Sequence, residues 1–204
     1  MNMPLLLASQ SESRRRLLAD AAVPFETVNA GVDEDAVKAS LVAEGLGARD
    51  LADALAEWKA RRPSMRQTDA LVLGCDQTLE LDDGGSGGSL IDKVETRAEA
   101  AALLARMSGR THKLHSAAVI MQAGQAQWRQ IESVTLQMRP LSAAFIDHYL
   151  DLDWDQCRWC VGCYRIEGPG AQLFSRISGS LFAVQGLPLL PLLDYLRVRS
   201  ILPA

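Results

Sequence analysis

The sequence predicts a mixed α/β fold, a twisted sheet with flanking helices, on three observations. Apolar runs of strand length alternate with longer stretches whose apolar residues recur at helical spacing. One run, Ala70-Leu-Val-Leu-Gly-Cys, is continuously apolar, as a strand buried on both faces requires. Turn-forming residues separate the segments, with no internal repeat and no clear linker.

The elements follow in order. Residues 4–8 read as a strand, and residues 14–21, opened by Arg14-Arg15-Arg16, as a helix. Residues 24–29 are extended; 35–44 and 49–62 are helical, divided by Gly45 and Gly47. Residues 70–75 form the buried strand. Residues 82–89, Asp-Asp-Gly-Gly-Ser-Gly-Gly-Ser, read as a flexible loop that is no Walker loop, because no Lys-Ser/Thr follows its glycines. Thr96-Arg-Ala-Glu99 is a capping box starting a helix to Met107. Residues 116–122 and 127–138 are strands joined through Ala-Gly, and 142–150 a helix. Pro188 is placed just inside the start of a last apolar helix ending near Arg199.

Composition narrows the function classes. A chain of 204 residues with 48% hydrophobic content buries a real core. A net charge of −4 argues against a nucleic-acid-coating surface, and 5% aromatics against a base-stacking single-strand binder. No apolar run approaches the roughly 20 residues that span a bilayer, and no signal-peptide pattern is visible, so a cytoplasmic location is expected.

Six clusters carry possible chemistry. At the first strand–helix junction, Ser9, Ser11 and Ser13 precede the three arginines, and a strand, tight turn and helix start aim N–H groups at one point. Arginines in a first helical turn oppose the macrodipole unless an anion such as phosphate faces them; the alternative is a solvated basic helix start. Val32-Asp33-Glu34-Asp35 offers hard oxygen ligands for magnesium, or simply a solvated helix start. Asp76, read as ending the buried strand, lies where α/β sheets bind ligands and could act as a general base, or as a turn aspartate bonding its own backbone. Lys59, late in a helix, and Lys93, beyond the glycine loop, add little singly. Glu167 is expected between a strand and the Gly-Pro-Gly turn, where glycines allow a ligand close to the backbone. Cys157, Cys160 and Cys163 have an iron–sulfur-like spacing, but Cys160-Val-Gly-Cys-Tyr-Arg-Ile reads as a strand, whose side chains alternate in direction. Reduced structural thiols are therefore expected.

Together these segments resemble the Maf family, cytoplasmic nucleoside triphosphate pyrophosphatases, over nearly the whole chain. Ala8-Ser-Gln-Ser-Glu-Ser-Arg-Arg is similar to the family opening A-S-x-S-P-x-R-R, and Val32-Asp-Glu to V-D-E. Leu55-Ala-Glu-Trp-Lys-Ala is similar to L-A-x-x-K-A, and Leu73-Gly-Cys-Asp-Gln to the strand bearing the catalytic aspartate. Ser108-Gly-Arg-Thr-His112 and Gly186-Leu-Pro-Leu complete the set. The resemblance implies one Maf/ITPase-like domain over residues 1–204, two lobes around a cleft, and a homodimer. It implies hydrolysis of a nucleoside triphosphate to monophosphate and pyrophosphate with Mg2+ or Mn2+, and neither nucleic acid nor membrane as partner. Asp76 is the implied proton acceptor. Ser9, Ser11, Arg14, Arg15, Lys59 and Lys93 are implied triphosphate ligands, and Glu34 with Asp76 the metal ligands.

Departures bear on specificity. Glu12 replaces the family proline, and Val94 follows Lys93 where proline is usual. Ser13, Gln77 and Glu167 stand at three base-reading positions that hold arginine, threonine and glutamine in dTTP/UTP-preferring members. The 7-methyl-GTP subgroup has tryptophan, glutamine and glutamate there. Two of three therefore match the guanine type, while Ser13 lacks the aromatic plane for a methylated base. A dTTP/UTP pyrophosphatase, a nucleotide-binding division regulator with weak catalysis and a metal-cluster protein are the alternatives.

Overall fold

The computed structural model describes residues 3–31, 33–84 and 88–203. The elements are β1 (Leu5–Ala8), α1 (Glu12–Asp20), β2 (Glu26–Thr27), α2 (Glu34–Ala43), α3 (Ala48–Arg66), β3 (Leu71–Leu81) and β4 (Ser89–Ile91). There follow α4 (Arg97–Met107), β5 (Thr111–Gln122), β6 (Gln125–Met138), α5 (Ala143–Cys157), a 3-10 helix (Pro169–Leu173), β7 (Phe174–Ser178), α6 (Leu181–Val184) and α7 (Leu189–Val198). The strands form one seven-stranded mixed sheet in the order β2-β1-β3-β5-β6-β7, with β4 also on β3. The mixed α/β expectation holds. The chain divides into two compact units: Met1–Gln77, Ser116–Glu132 and Gly186–Ala204 make the first, and Thr78–His115 with Ser133–Gln185 the second.

In the first unit β1 pairs in parallel with β2 and with β3, its last pair being Ala8 with Gly74. Strand alternation puts Val72, Gly74 and Asp76 on one face of β3. Helix α3 offers Ala52, Ala56 and Ala60, one turn apart, and these alanines share a buried cluster with Leu6, Ala8, Val72, Ala117 and Val119. Small residues on both sides bring the backbones together. A Cβ at Gly74 would lie 2.0 Å from the Ala56 carbonyl oxygen and 2.9 Å from the Ala60 nitrogen. Expected to stop at residue 62, α3 runs through Pro63 to Arg66. Pro63 leaves the Lys59 carbonyl without its helical donor. Beyond it, the Ser64 hydroxyl donates to Arg61 O (2.8 Å) and accepts from Gly124 N (3.2 Å), which holds the extra turn. Ala123 and Gly124, both at positive φ (49° and 78°), make the two-residue turn between β5 and β6, as the sequence suggested.

The second unit has its own core, in which Leu104 and Met107 of α4 and Tyr149 and Leu150 of α5 cluster with Leu79, Leu114 and Leu136. Helix α4 begins with the expected capping box on Thr96 and Glu99. Two expectations are corrected here. Helix α5 extends to Cys157, because Tyr149, Leu150, Asp153 and Cys157 continue one buried face. Residues 160–166 are not a strand: they turn, with Cys160 N bonded to Cys157 O (2.9 Å), Cys163 N to Cys160 O (3.2 Å), and Cys163 at φ 55°. β4 was not anticipated within the glycine loop, of which residues 85–87 lie outside the described residues. β7, α6 and the 3-10 helix were also missed, being short. Pro188 caps α7 rather than entering it.

His112 is fully buried in this core. Its Nε2 lies 2.7 Å from the Tyr164 hydroxyl, with Phe174 beside the ring. Nδ1 has no partner among the described residues. Burial therefore lowers the His112 pKa from 6.5 to about 4.

Two predictions follow from this packing. Gly74→Ala should lower unfolding free energy by about 3 kcal/mol or more, since neither backbone can yield. Gly47→Ala, where a Cβ meets nothing within 4 Å, should cost about 1 kcal/mol or less. Urea unfolding of both variants checks this. His112 contributes an acid lability with a defined sign. Its folded pKa lies below its unfolded value, so the folded state binds fewer protons, and stability held above pH 6.5 is lost as pH falls towards about 4. The full loss is about 3 kcal/mol, at about 1.4 kcal/mol per pH unit. Unfolding midpoints of the parent and His112→Gln between pH 7 and pH 4.5 should differ in slope, the variant being flatter.

Candidate active site

The first unit gathers most of the residues singled out above. Asp76 follows Gly74 on the same face of β3, just past the end of β1. It does not end its strand, as expected, but sits within it, because β3 continues to Leu81. The close approach of α3 puts Lys59, next to Ala60, beside it: Lys59 Nζ donates to Asp76 Oδ1 at 2.7 Å. Glu34 arrives from α2, its Oε2 2.9 Å from the same nitrogen. Lys59 is 8% exposed at its side chain and Asp76 13%, whereas Glu34 is 54% exposed.

Local chemistry fixes Glu34 there. Asp33 caps α2, its Oδ1 accepting from Ala36 N at 3.1 Å, which puts Glu34 in the first turn. The Arg62 guanidinium donates to Gly31 O at 2.7 Å and ties the approach to α2 back onto α3. Asp33 is thus a cap, and Glu34 alone of the acidic run reaches the lysine. Val32, the first residue of that motif, lies outside the described residues.

Arg14 is built in rather than displayed. Ser11 caps α1, with Glu12 in the first turn as the macrodipole prefers, and Arg14 follows at the third position. Its Nε donates to Gly186 O at 2.8 Å, and Nη1 to Cys75 O at 3.1 Å and Ser9 Oγ at 3.2 Å. Nη2 donates to nothing among the described residues. Gly186, at φ 96°, has no side chain to strike the guanidinium: a Cβ there would meet Arg14 Nε at 3.1 Å. Arg15 and Arg16 are exposed, Arg16 facing Asp20 at 3.6 Å. Ser9 also accepts from Ser11 N at 3.3 Å, and Ser13 is half-buried. Gln77, next to Asp76, donates through Nε2 to Ser116 Oγ at 2.8 Å. The neighbouring Cys75 thiol is pushed up to about 11 by burial, against the lowering charges of Arg14 and Lys59, as for an inert structural thiol.

Lys93 and Glu167 belong to the second unit, and both are exposed. Glu167 lies in the turn before the 3-10 helix, not after a strand. A network missed at sequence level sets this turn. Buried Asp153 holds Arg165 through Nη2 and through Nε at 3.3 Å, and the Tyr149 hydroxyl donates to Cys163 O at 3.0 Å. Gly170 packs on the Arg165 backbone, where a Cβ would be 2.5 Å from its oxygen. Burial, then the Glu167 charge, pushes the Cys160 thiol up to about 11. Among the described residues no three His, Cys, Asp or Glu side chains are placed to hold a metal.

Glu34 and Asp76 do fit a magnesium-type ion in one sense: both carboxylates already converge on a single cation, the Lys59 ammonium. Two carboxylates are what Mg2+ usually takes from protein, its remaining positions going to water and substrate phosphates. No helix among the described residues is long and apolar enough to cross a membrane.

The missed partners, Gly186 O, Cys75 O and Ser116, are backbone or small groups whose roles carry no sequence signal beyond the glycine itself. The chain as a whole, by contrast, is similar to known proteins. The family described as Maf-like protein matches residues 4–199. A nucleoside triphosphate pyrophosphatase of Caulobacter vibrioides is 48% identical over 199 residues, covering 98% of this chain and 97% of that protein. Proteins of the same name from Sphingopyxis alaskensis (49% over 201 residues, 98% and 100% covered) and Rhodospirillum rubrum (49% over 199, 98% and 96%) are equally similar. With the family pattern matched along almost all of its length, this chain belongs to the Maf family.

Proposed function

We propose that the protein is a nucleoside triphosphate pyrophosphatase that cleaves the bond between the α- and β-phosphates, releasing a nucleoside monophosphate and pyrophosphate. The observation that carries this reading is the buried Lys59 ammonium joining Asp76 to Glu34, in the unit that also holds Arg14. Hydrolysing a polyanion needs charge neutralisation and an oriented water more than covalent help.

Asp76 is the group that accepts a proton from water as its oxygen attacks the α-phosphorus. The bond from that phosphorus to the bridging oxygen breaks, and pyrophosphate leaves with the electron pair. Arg14, whose Nη2 has no acceptor among the described residues, and Lys59 hold phosphate oxygens, aided by Ser9, Ser11, Arg15 and Lys93. The three anchors on Arg14 make it a preorganised donor, since its geometry is set before substrate arrives. Glu34 and Asp76 would hold a divalent cation, which would supply further neutralisation of the phosphates.

For base choice we favour guanine, with 7-methyl-GTP or another modified nucleotide as the substrate, on the match of Glu167 and Gln77 to the 7-methyl-GTP subgroup. A carboxylate accepts from guanine N1–H and the 2-amino group together, a pair that uracil and thymine lack. The exposure of Glu167 moderates the expected discrimination, because solvent can satisfy a carboxylate left without its base.

Two outcomes are expected. Asp76→Asn preserves shape but cannot take the proton, so kcat for pyrophosphate release should fall by about two to four orders of magnitude. Nucleotide binding, followed by calorimetry, should persist. Undiminished turnover in the folded variant would remove Asp76 from the chemistry. Glu167→Gln should shift kcat/KM from 7-methyl-GTP and GTP towards UTP and dTTP by about tenfold or more. A parent already preferring UTP and dTTP, with that order unchanged in the variant, would show that Glu167 does not read the base.

A further inference from the structure

We propose that Lys59 is an exchangeable cation. In the nucleotide-free protein its ammonium holds the point between Asp76 and Glu34, and it moves onto the triphosphate when a divalent ion takes that point. Metal and nucleotide then bind cooperatively. The proposal rests on the reading of Asp76 and Glu34 as metal ligands.

The geometry separates the two buried cations of this unit. Arg14 is fixed by hydrogen bonds to three different segments, at Ser9, Cys75 and Gly186. Lys59 makes its two contacts only to carboxylates, at 2.7 and 2.9 Å, from the end of a four-carbon stem. The ammonium nitrogen between those oxygens lies where a small cation would have to be. An ammonium and a divalent ion cannot share that space, and their like charges oppose it as well. Entry of metal alone would therefore leave a lysine that is 6% exposed without its partners, which is costly.

A triphosphate removes that cost by offering Lys59 anionic oxygens in exchange for the carboxylates. Two protein carboxylates also leave most of a metal's coordination to phosphate and water. Each ligand thus lowers the penalty for the other, and linkage requires the effect to be mutual. The same device offsets half of the carboxylate pair's charge between turnovers.

The test is Mn2+ binding, read by electron paramagnetic resonance or calorimetry rather than by activity. Lys59→Met keeps the stem and removes the charge. Nucleotide-free Lys59→Met should bind Mn2+ about ten- to a hundredfold more tightly than the parent, the scale of one charged hydrogen-bonded contact. Lys59→Gln serves as a second neutral variant, and Lys59→Arg should remain as weak as the parent. Adding an α,β-methylene nucleoside triphosphate should tighten Mn2+ binding in the parent, and by a smaller factor in Lys59→Met. Equal or weaker nucleotide-free Mn2+ binding in both folded neutral variants would overturn the exchange. If the parent binds Mn2+ but Asp76→Asn and Glu34→Gln leave its affinity unchanged, the metal lies elsewhere and the site reading itself falls.

Discussion

The contact on which the first unit depends is the approach of α3 to β3 across Gly74. Nothing larger than hydrogen fits between that residue and the Ala56 carbonyl. The strand's alternation then carries Asp76 onto the same face, and helical spacing delivers Lys59 one residue before Ala60. An alanine row, one glycine and two periodicities thus fix an ion pair at 2.7 Å. The stability of the layer and the placement of the charges are one property. Loosening the packing would open the site as directly as deleting a charged group.

Around that contact, the chain spends its buried charges differently in the two units. Arg14 and Lys59 lie among carbonyls, hydroxyls and carboxylates, where a buried cation finds partners yet retains donors for an anion. In the second unit, Asp153 and Arg165 satisfy each other, with Tyr149 beside them, and brace the turn that carries Glu167. Buried pairs of this second kind add little net stability but penalise any arrangement that separates them. Asp153 thereby helps specify the path of residues 160–170.

Much of this was legible in the sequence, and what was not has physical causes. The apolar runs placed β1 and the first half of β3, and the capping box placed α4, because burial and capping are local signals. Asp76 looked like a strand end because charge usually marks one. Its pairing with Lys59, 17 residues earlier in the chain, lets the strand continue through it. The cysteine segment misled for the opposite reason. Its apolar residues suit a strand, but Gly162 at φ 85° and Cys163 at φ 55° turn the backbone instead. Pro63 is a similar case: tertiary contacts through Ser64 outweigh a local helix-breaking signal. The motifs identified Arg14 and Lys59 as candidates, yet only the structure separates a guanidinium held by three acceptors from an ammonium held by two carboxylates.

That distinction bears on how the protein handles charge. The nucleotide-free cluster of Arg14, Lys59, Asp76 and Glu34 is balanced, two cations against two carboxylates. A triphosphate adds several negative charges and a divalent ion two positive ones, so neither addition alone restores balance. The fixed arginine cannot adjust, since moving it would leave Gly186 O and Cys75 O without their donor. Lysine is the residue suited to the adjustable place, its charge being compact and its stem flexible. An arginine at position 59 would hold both carboxylates in a planar fork and leave a metal no easy entry. On the proposed exchange, one cation of each kind makes a division of labour: a guanidinium held by three acceptors and an ammonium held by two carboxylates.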